Sequence, residues 1–224
     1  MIEILKVIVG SQAHGLATPE SDFDYRGVFV APTAEILRIG GIVHETNWIE
    51  GKEDNTSWEI AHFLRMATKS NPTILETLIS PLTEPMAEGM VPWGMELRKL
   101  FPHVWNSTDV LNAFIGYSHN QRKKFLDNKD NRAQKYAAAA ARVLYNGWEL
   151  LTTGNFNIRI ADTPVGATVR KFKEGNFSVG EVMEHIHQWE EKMREAYTQN
   201  PNKETNLTAV NDFLLRVRKH FWTI

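Results

Sequence analysis

No cysteine occurs in the 224 residues. Disulfides and thiolate zinc sites are therefore excluded, and a reducing cytoplasm is the expected location. No apolar run reaches membrane-spanning length, so no membrane partner is expected. The N-terminal stretch Met1 to Val9 is too short and too acidic for a signal peptide. Positive charge is not in excess either: 25 Lys and Arg stand against 27 Asp and Glu. No global basic field draws nucleic acid, and a polynucleotide would need a local patch. Internal repeats are lacking, and the one low-complexity run, Ala137 to Ala141, marks close helix packing. The seven tryptophans are scattered rather than spaced as a stacking platform, which reads as core.

What is present is a chain of ordinary apolar content, long enough to bury a real core. Its first part alternates strands and helices. Residues 4–9 are β-branched and bounded by glycine, a buried strand. A turn or short helix follows over 11–15, then a loop to Glu20. Residues 23–30 form a second strand, stopped by Ala31-Pro32, and 35–37 a helical turn. Residues 42–49 and 53–58 are expected to pair. A helix starts at Trp58 with Glu59 in its first turn; Asn71-Pro72 breaks it, and another covers 73–79. Beyond residue 90 the pattern is almost wholly helical. Helices are expected from Thr108-Asp109 to Leu126, over 131–153 with Gly154 as the closing glycine, over 179–198, and over 205–222. Ser178 and Glu181 have capping-box spacing before the third of these. The fold class is α+β: a small mixed sheet in residues 1–90, then a helical bundle in 91–224.

The chemistry concentrates near the N-terminus. Asp22 and Asp24 are two apart next to the second strand, so both project from one face. Carboxylates that close repel unless a cation lies between them. Hard oxygen ligands at this spacing suit Mg²⁺, held by one or two carboxylates and substrate phosphates. Gly10-Ser11 closes the first strand. The glycine permits close backbone approach, and the serine offers a hydroxyl and an N–H to a phosphate oxygen. His14 beside this turn either donates to a phosphate or caps the turn. Arg26 shares the face of Asp24, where it forms an ion pair or reaches a phosphate. Lys135 and Arg142 lie seven apart, on one helix face, and Lys171 follows in the next helical piece. The three suit a triphosphate clamp as well as a solvated face. Gln121 to Lys124 is a denser basic run that reads as a solvated face. His185 and His187 fall on different faces of one helix and do not ligate a metal together.

An apolar strand, Gly10-Ser11, a ten-residue spacer and Asp22-x-Asp24 together resemble the polymerase-β-like nucleotidyltransferase superfamily. The fuller string through Gly15, and Ser21 to Gly27, is similar to a bacterial and phage branch with members linked to RNA repair. Asn71-Pro72 with Glu76 to Pro81, Lys135 with Arg142 to Gly154, and Arg170 to Gly175 extend the resemblance. The branch often has Leu-Pro before its last helix, where this chain has Asn200-Pro201-Asn202. The resemblance implies transfer of an NMP or dNMP from an NTP or dNTP to an acceptor hydroxyl, with Mg²⁺ or Mn²⁺ as cofactor. It implies RNA or tRNA among the acceptors, and a third metal-binding carboxylate from an adjacent strand. Asp54 is the first choice for that third group, with Glu45 and Glu59 as rivals. The expected architecture sets the carboxylate face across a cleft from the helical half. The alternative function is a nucleotide-sensing module that keeps the pocket without turnover.

Overall fold

The apolar N-terminal run forms strand β1 (Ile2–Val9), with Leu5, Val7 and Val9 on the core side. A register shift between Glu3 and Leu5 turns Ile4 inward as well. This computed structural model describes residues 1–41, 43–48, 55–83 and 91–222. A one-turn helix α1 (Gly10–Ala13) leads out of β1, and the chain returns antiparallel as β2 (Asp24–Val30). The next pairing is parallel, β2 with β4 (Asn55–Glu59), and so requires a crossover. The intervening chain carries helix α2 (Thr33–Leu37) and strand β3 (Thr46–Trp48), which pairs antiparallel with β4. The sheet order is β1-β2-β4-β3.

Several boundaries differ from expectation. The third strand begins at Thr46 rather than residue 42, α2 at Thr33 rather than residue 35, and the last helix covers Leu207–His220 rather than 205–222. The strand β4 continues through Trp58 and Glu59, and helix α3 (Ile60–Ala67) starts only afterwards. Glu59 is therefore not a first-turn helix acid. Its carboxylate accepts from the Ala61 N–H as the cap of α3 and pairs with Arg218 at 2.7 Å. These bonds hold its backbone extended, where helix periodicity alone would have continued.

Helix α4 (Pro72–Ile79) begins where sequence chemistry dictates. Asn71 accepts from the Thr73 and Ile74 amides, and Pro72 occupies the first turn. The rest is helical: α5 (Val91–Lys99), α6 (Ser107–Asp127), α7 (Ala133–Thr153), α8 (Gly166–Lys173), α9 (Val179–Gln199) and α10 (Leu207–His220). The architecture is α+β, a small mixed sheet followed by helices. The expected capping box of Ser178 and Glu181 opens α9, and Gly154 ends α7 with φ +82°. Ala137, Ala140 and Ala141 are fully buried, so α7 packs closely on its neighbours. Gly147 extends that approach: a Cβ there would sit 2.6 Å from Met193 of α9 and 2.8 Å from Phe114 of α6.

One apolar cluster runs from Ile4 in β1 through α7 to Phe221 after α10. The C-terminal helix packs back on the sheet region. Besides its pair with Glu59, Arg218 donates to the Ala31 carbonyl, and the Thr33 amide donates to the Phe221 carbonyl.

Candidate active site

The site starts from a backbone constraint. Gly10 has φ +65°, a left-handed conformation that L side chains rarely adopt. A Cβ on it would also run into the carboxylate of Asp24, so that carboxylate lies directly against the Gly-Ser turn. Asp24 is the first residue of β2 and pairs with Val9, the last residue of β1. Asp22 precedes the strand, yet the alternation persists. Phe23 and Tyr25 stack at 6.5 Å on the opposite side, while Asp22, Asp24 and Arg26 line one cleft. The loop before Asp22 is anchored by Gln12, whose side chain donates to the Ser21 carbonyl at 3.2 Å.

The cleft has a volume of about 590 Å³. Gly10, Ser11, His14, Asp22, Asp24 and Arg26 form the sheet side. Lys135, Ala138, Ala139 and Arg142 of α7 form the opposite wall, so Asp22 and Asp24 face two of the three cations expected of the clamp across it. Tyr117 and Gln121 of α6, Gln134 of α7, Lys173 of α8 and the acids Glu20 and Glu76 also line it. Among the described residues no tryptophan lines it.

At the base of the cleft lies a carboxylate that the sequence reading did not single out. Glu76 of α4 is buried, with His14 Nε2 at 2.6 Å, Arg142 Nη1 at 3.3 Å and Arg26 Nη1 at 3.6 Å. Burial pushes the Glu76 carboxyl upward, but Arg142, His14 and Arg26 outweigh it and hold the group well below the usual carboxylate range. An ionised carboxylate only accepts, so the His14 proton sits on Nε2. Burial and the nearby Arg142 push His14 below its ordinary value, against the pull of Glu76. Arg26 therefore pairs with Glu76, and Arg142 is oriented by the same group. Arg26 Nη1 is buried and makes no hydrogen bond among the described residues. That nitrogen lies against Glu76, while Arg26 shares the lining of the cleft with the two aspartates.

The remaining predicted residues fall elsewhere. Lys171 does not line the cleft; its ammonium pairs with Glu181 of α9. Two residues on, Lys173 takes the place at the rim and donates to the Leu16 carbonyl at 2.5 Å. The choice between them is a matter of helix phase on α8, which spacing from Arg142 does not reveal. Glu45 is exposed and paired with His62 and Arg65, and Glu59 is committed to Arg218. Neither joins Asp22 and Asp24, and no cluster of three potential metal-binding side chains occurs among the described residues. Asp54 lies outside the described residues; Asn55, next to it in the chain, pairs with Tyr25 across the β2–β4 ladder. His185 and His187 diverge as expected, His185 packing on Phe172 and Trp189 while His187 is exposed. The donor set of Asp22 and Asp24, hard oxygens beside a glycine turn with cations close by, fits a divalent metal bridged to phosphates.

Comparison with known proteins agrees with this geometry. The model of the family described as "RNA repair pathway DNA polymerase beta family" matches residues 3–157, which include β1, β2 and all of α7. A protein of Enterobacteria phage T4, described as an uncharacterized 38.9 kDa protein in the nrdC-mobD intergenic region, is 25% identical over 143 residues. The match covers 56% of this chain and 39% of the phage protein. The uncharacterized protein YcgL of Bacillus subtilis is 27% identical over 143 residues, covering 62% of this chain and 53% of that protein. The chain thus spans about half the length, or less, of these two relatives.

Proposed function

Since the chain belongs to the RNA repair pathway DNA polymerase beta family, we propose that it transfers a nucleoside monophosphate from an NTP or dNTP to an acceptor hydroxyl. The observation that carries this reading is the Asp24 carboxylate folded against Gly10, in the same cleft as Asp22. In this reading residues 1–90 are the transfer core and residues 91–224 close the cleft over the nucleotide. The acceptor oxygen attacks the α-phosphorus, the bond from that phosphorus to the α–β bridging oxygen breaks, and pyrophosphate leaves. Asp22 and Asp24 would hold Mg²⁺ or Mn²⁺, which would supply charge neutralisation at the α-phosphate and a lowered pKa for the attacking hydroxyl. Ser11 and the Gly10 turn contact the β- or γ-phosphate. Arg26, Arg142 and Lys135 supply positive charge along the triphosphate, the arginines being oriented beforehand by Glu76. His14 serves mainly to position Glu76. Lys171 has no part in this scheme; Lys173 replaces it.

Asp54 is the proposed third carboxylate, accepting the hydroxyl proton. Glu45 and Glu59 are engaged elsewhere, and Asp54 directly precedes the strand beside β2. The second reading, a nucleotide-binding module without turnover, is favoured by one observation: among the described residues no group of three potential metal-binding side chains forms around the pair. Incubation with each α-³²P-labelled NTP and Mg²⁺, against total RNA, DNA and protein, tests the activity. Label is expected on one acceptor class. Asp54→Asn is expected to abolish labelling while NTP still binds by calorimetry. Binding without labelling in the unaltered protein would establish the second reading.

A further inference from the structure

The segment 121–135 carries six Lys and Arg against two Asp, a net +4 in a chain whose formal net charge is −2. It forms the end of α6, a short turn, and the start of α7. Lys123, Lys124, Lys129, Arg132 and Lys135 are exposed there, with Arg122 half-buried. Elsewhere on the helical surface several cations are matched with acids, Lys171 with Glu181, Arg194 with Glu191 and Arg216 with Glu96, and no separate stretch of that length concentrates six of them. None of the six cations of this segment makes an ion pair among the described residues. Of the two acids, Asp130 is committed locally, accepting from the Tyr136 hydroxyl and the Arg132 amide.

The patch is continuous with the cleft. Gln121, Gln134 and Lys135 line the cleft, and the other cations lead outward from them. From Gln121 to the end of α6 is about 9 Å at 1.5 Å per residue. A triphosphate held at Asp22 and Asp24 is served by Arg26, Arg142 and Lys135, and leaves the outer cations unused.

Building on the nucleotidyltransferase reading, we infer that the α6–α7 end is the docking surface for the phosphodiester backbone of a polynucleotide acceptor. A single strand laid on it presents its terminal hydroxyl at the cleft mouth between Gln121 and Gln134. Unpaired exposed cations in a row recognise a repeating anion and release its counterions. The placement also resolves how a chain of net negative charge holds nucleic acid: attraction is local and sits at the entrance to the site.

The test uses Lys123→Glu, Lys124→Glu and Lys129→Glu together, none of them in the cleft. The probes are a fluorescein-labelled single-stranded 15-mer, as RNA and as DNA, read by anisotropy over a salt series without NTP. Vesicles containing phosphatidylserine serve as the other polyanion. The triple variant is expected to bind the oligonucleotide at least tenfold more weakly. Its slope of log affinity against log salt should flatten by about 2, at about 0.7 per lost single-strand contact. NTP binding by calorimetry should be unchanged. If the triple variant does not fold, the single Lys123→Gln, Lys124→Gln and Lys129→Gln variants should each flatten the slope by about 0.7. Comparison of the RNA and DNA arms identifies the acceptor. Unchanged affinity and slope in the variants, or binding to vesicles but not to oligonucleotides, would overturn the inference. Oligonucleotide binding lost with NTP binding intact in the unaltered protein overturns this inference alone. NTP binding absent with oligonucleotide binding retained overturns the nucleotide reading and leaves the docking surface standing.

Discussion

Two carboxylate neighbourhoods share one cleft and are built on opposite principles. Glu76 is buried and surrounded by His14, Arg26 and Arg142. Asp22 is exposed on the loop before β2, makes no ion pair among the described residues, and faces the cleft with Asp24. The first carboxylate is satisfied by the protein's own cations, which it positions. In the proposed reading Asp22 and Asp24 take a cation from outside. A buried charge is tolerated only when paired, whereas clustered carboxylates at a cleft are tolerated because water or a ligand screens them. Burial thus separates the acid that frames the cleft from the acids to which the proposed function assigns the metal.

The sharpest way to break this distinction is Glu76→Gln. It leaves two guanidinium groups without their buried counter-charge, and a loss of ~3–5 kcal/mol is expected. Chemical denaturation measures it. A change under ~1 kcal/mol would mean that Glu76 is an accessory of the site rather than its frame. Asp22→Asn with Asp24→Asn is expected to do the reverse. Transfer should fall by ~10²–10³ or more, the range seen when charge stabilisation at a reacting group is removed. The melting temperature should change far less than in Glu76→Gln, since Asp22 is exposed and neither aspartate is fully buried.

Acid sharpens the same contrast. His14 and Glu76 both have folded-state pKa values below their ordinary ones, and His185 is pushed down to about 4 by burial and Lys192. A depressed group binds fewer protons in the native state than in the unfolded chain, so stability falls as pH falls. The histidine contribution is complete above about 6.5 and is lost as pH falls towards 4. That of Glu76 is complete above about 4.5 and is lost below it. Melting temperatures from pH 8 to 3 should decline in these two stages. His185→Leu should flatten the first stage and leave the second. A profile without either stage would sink the linkage.

The smallest effect tests the phosphate side. Ser11→Ala removes one neutral hydrogen bond, ~0.5–1.5 kcal/mol. That is roughly a threefold to tenfold loss of NTP affinity, with NMP affinity unchanged. Equal weakening of both in calorimetry would reverse the orientation of the triphosphate.

Much of this fold was legible because its signals are local. Asn71-Pro72 starts α4, Ser178 and Glu181 cap α9, and the β-branched N-terminal run forms β1, each through contacts within a few residues. The strand–Gly-Ser–Asp-x-Asp string was legible for the same reason, since ladder pairing between β1 and β2 joins nearby segments. Glu59 was misread because its partner, Arg218, lies 159 residues away. Glu76 was passed over because an acid in a helix reads as solvated until two arginines, from β2 and α7, and the His14 imidazole at the end of α1 are brought around it.

The sequence by itself determined that two adjacent aspartates follow a glycine–serine turn, that a small sheet precedes a helical body, and that no thiol chemistry is available. Those conclusions rest on composition and on spacings of a few residues, where backbone geometry leaves few alternatives. Only the tertiary structure decided which cations face those aspartates. Lys135, Arg142 and Lys173 reach the cleft and Lys171 does not, because helix phase against a distant sheet is set by packing of the shared core rather than by any local rule.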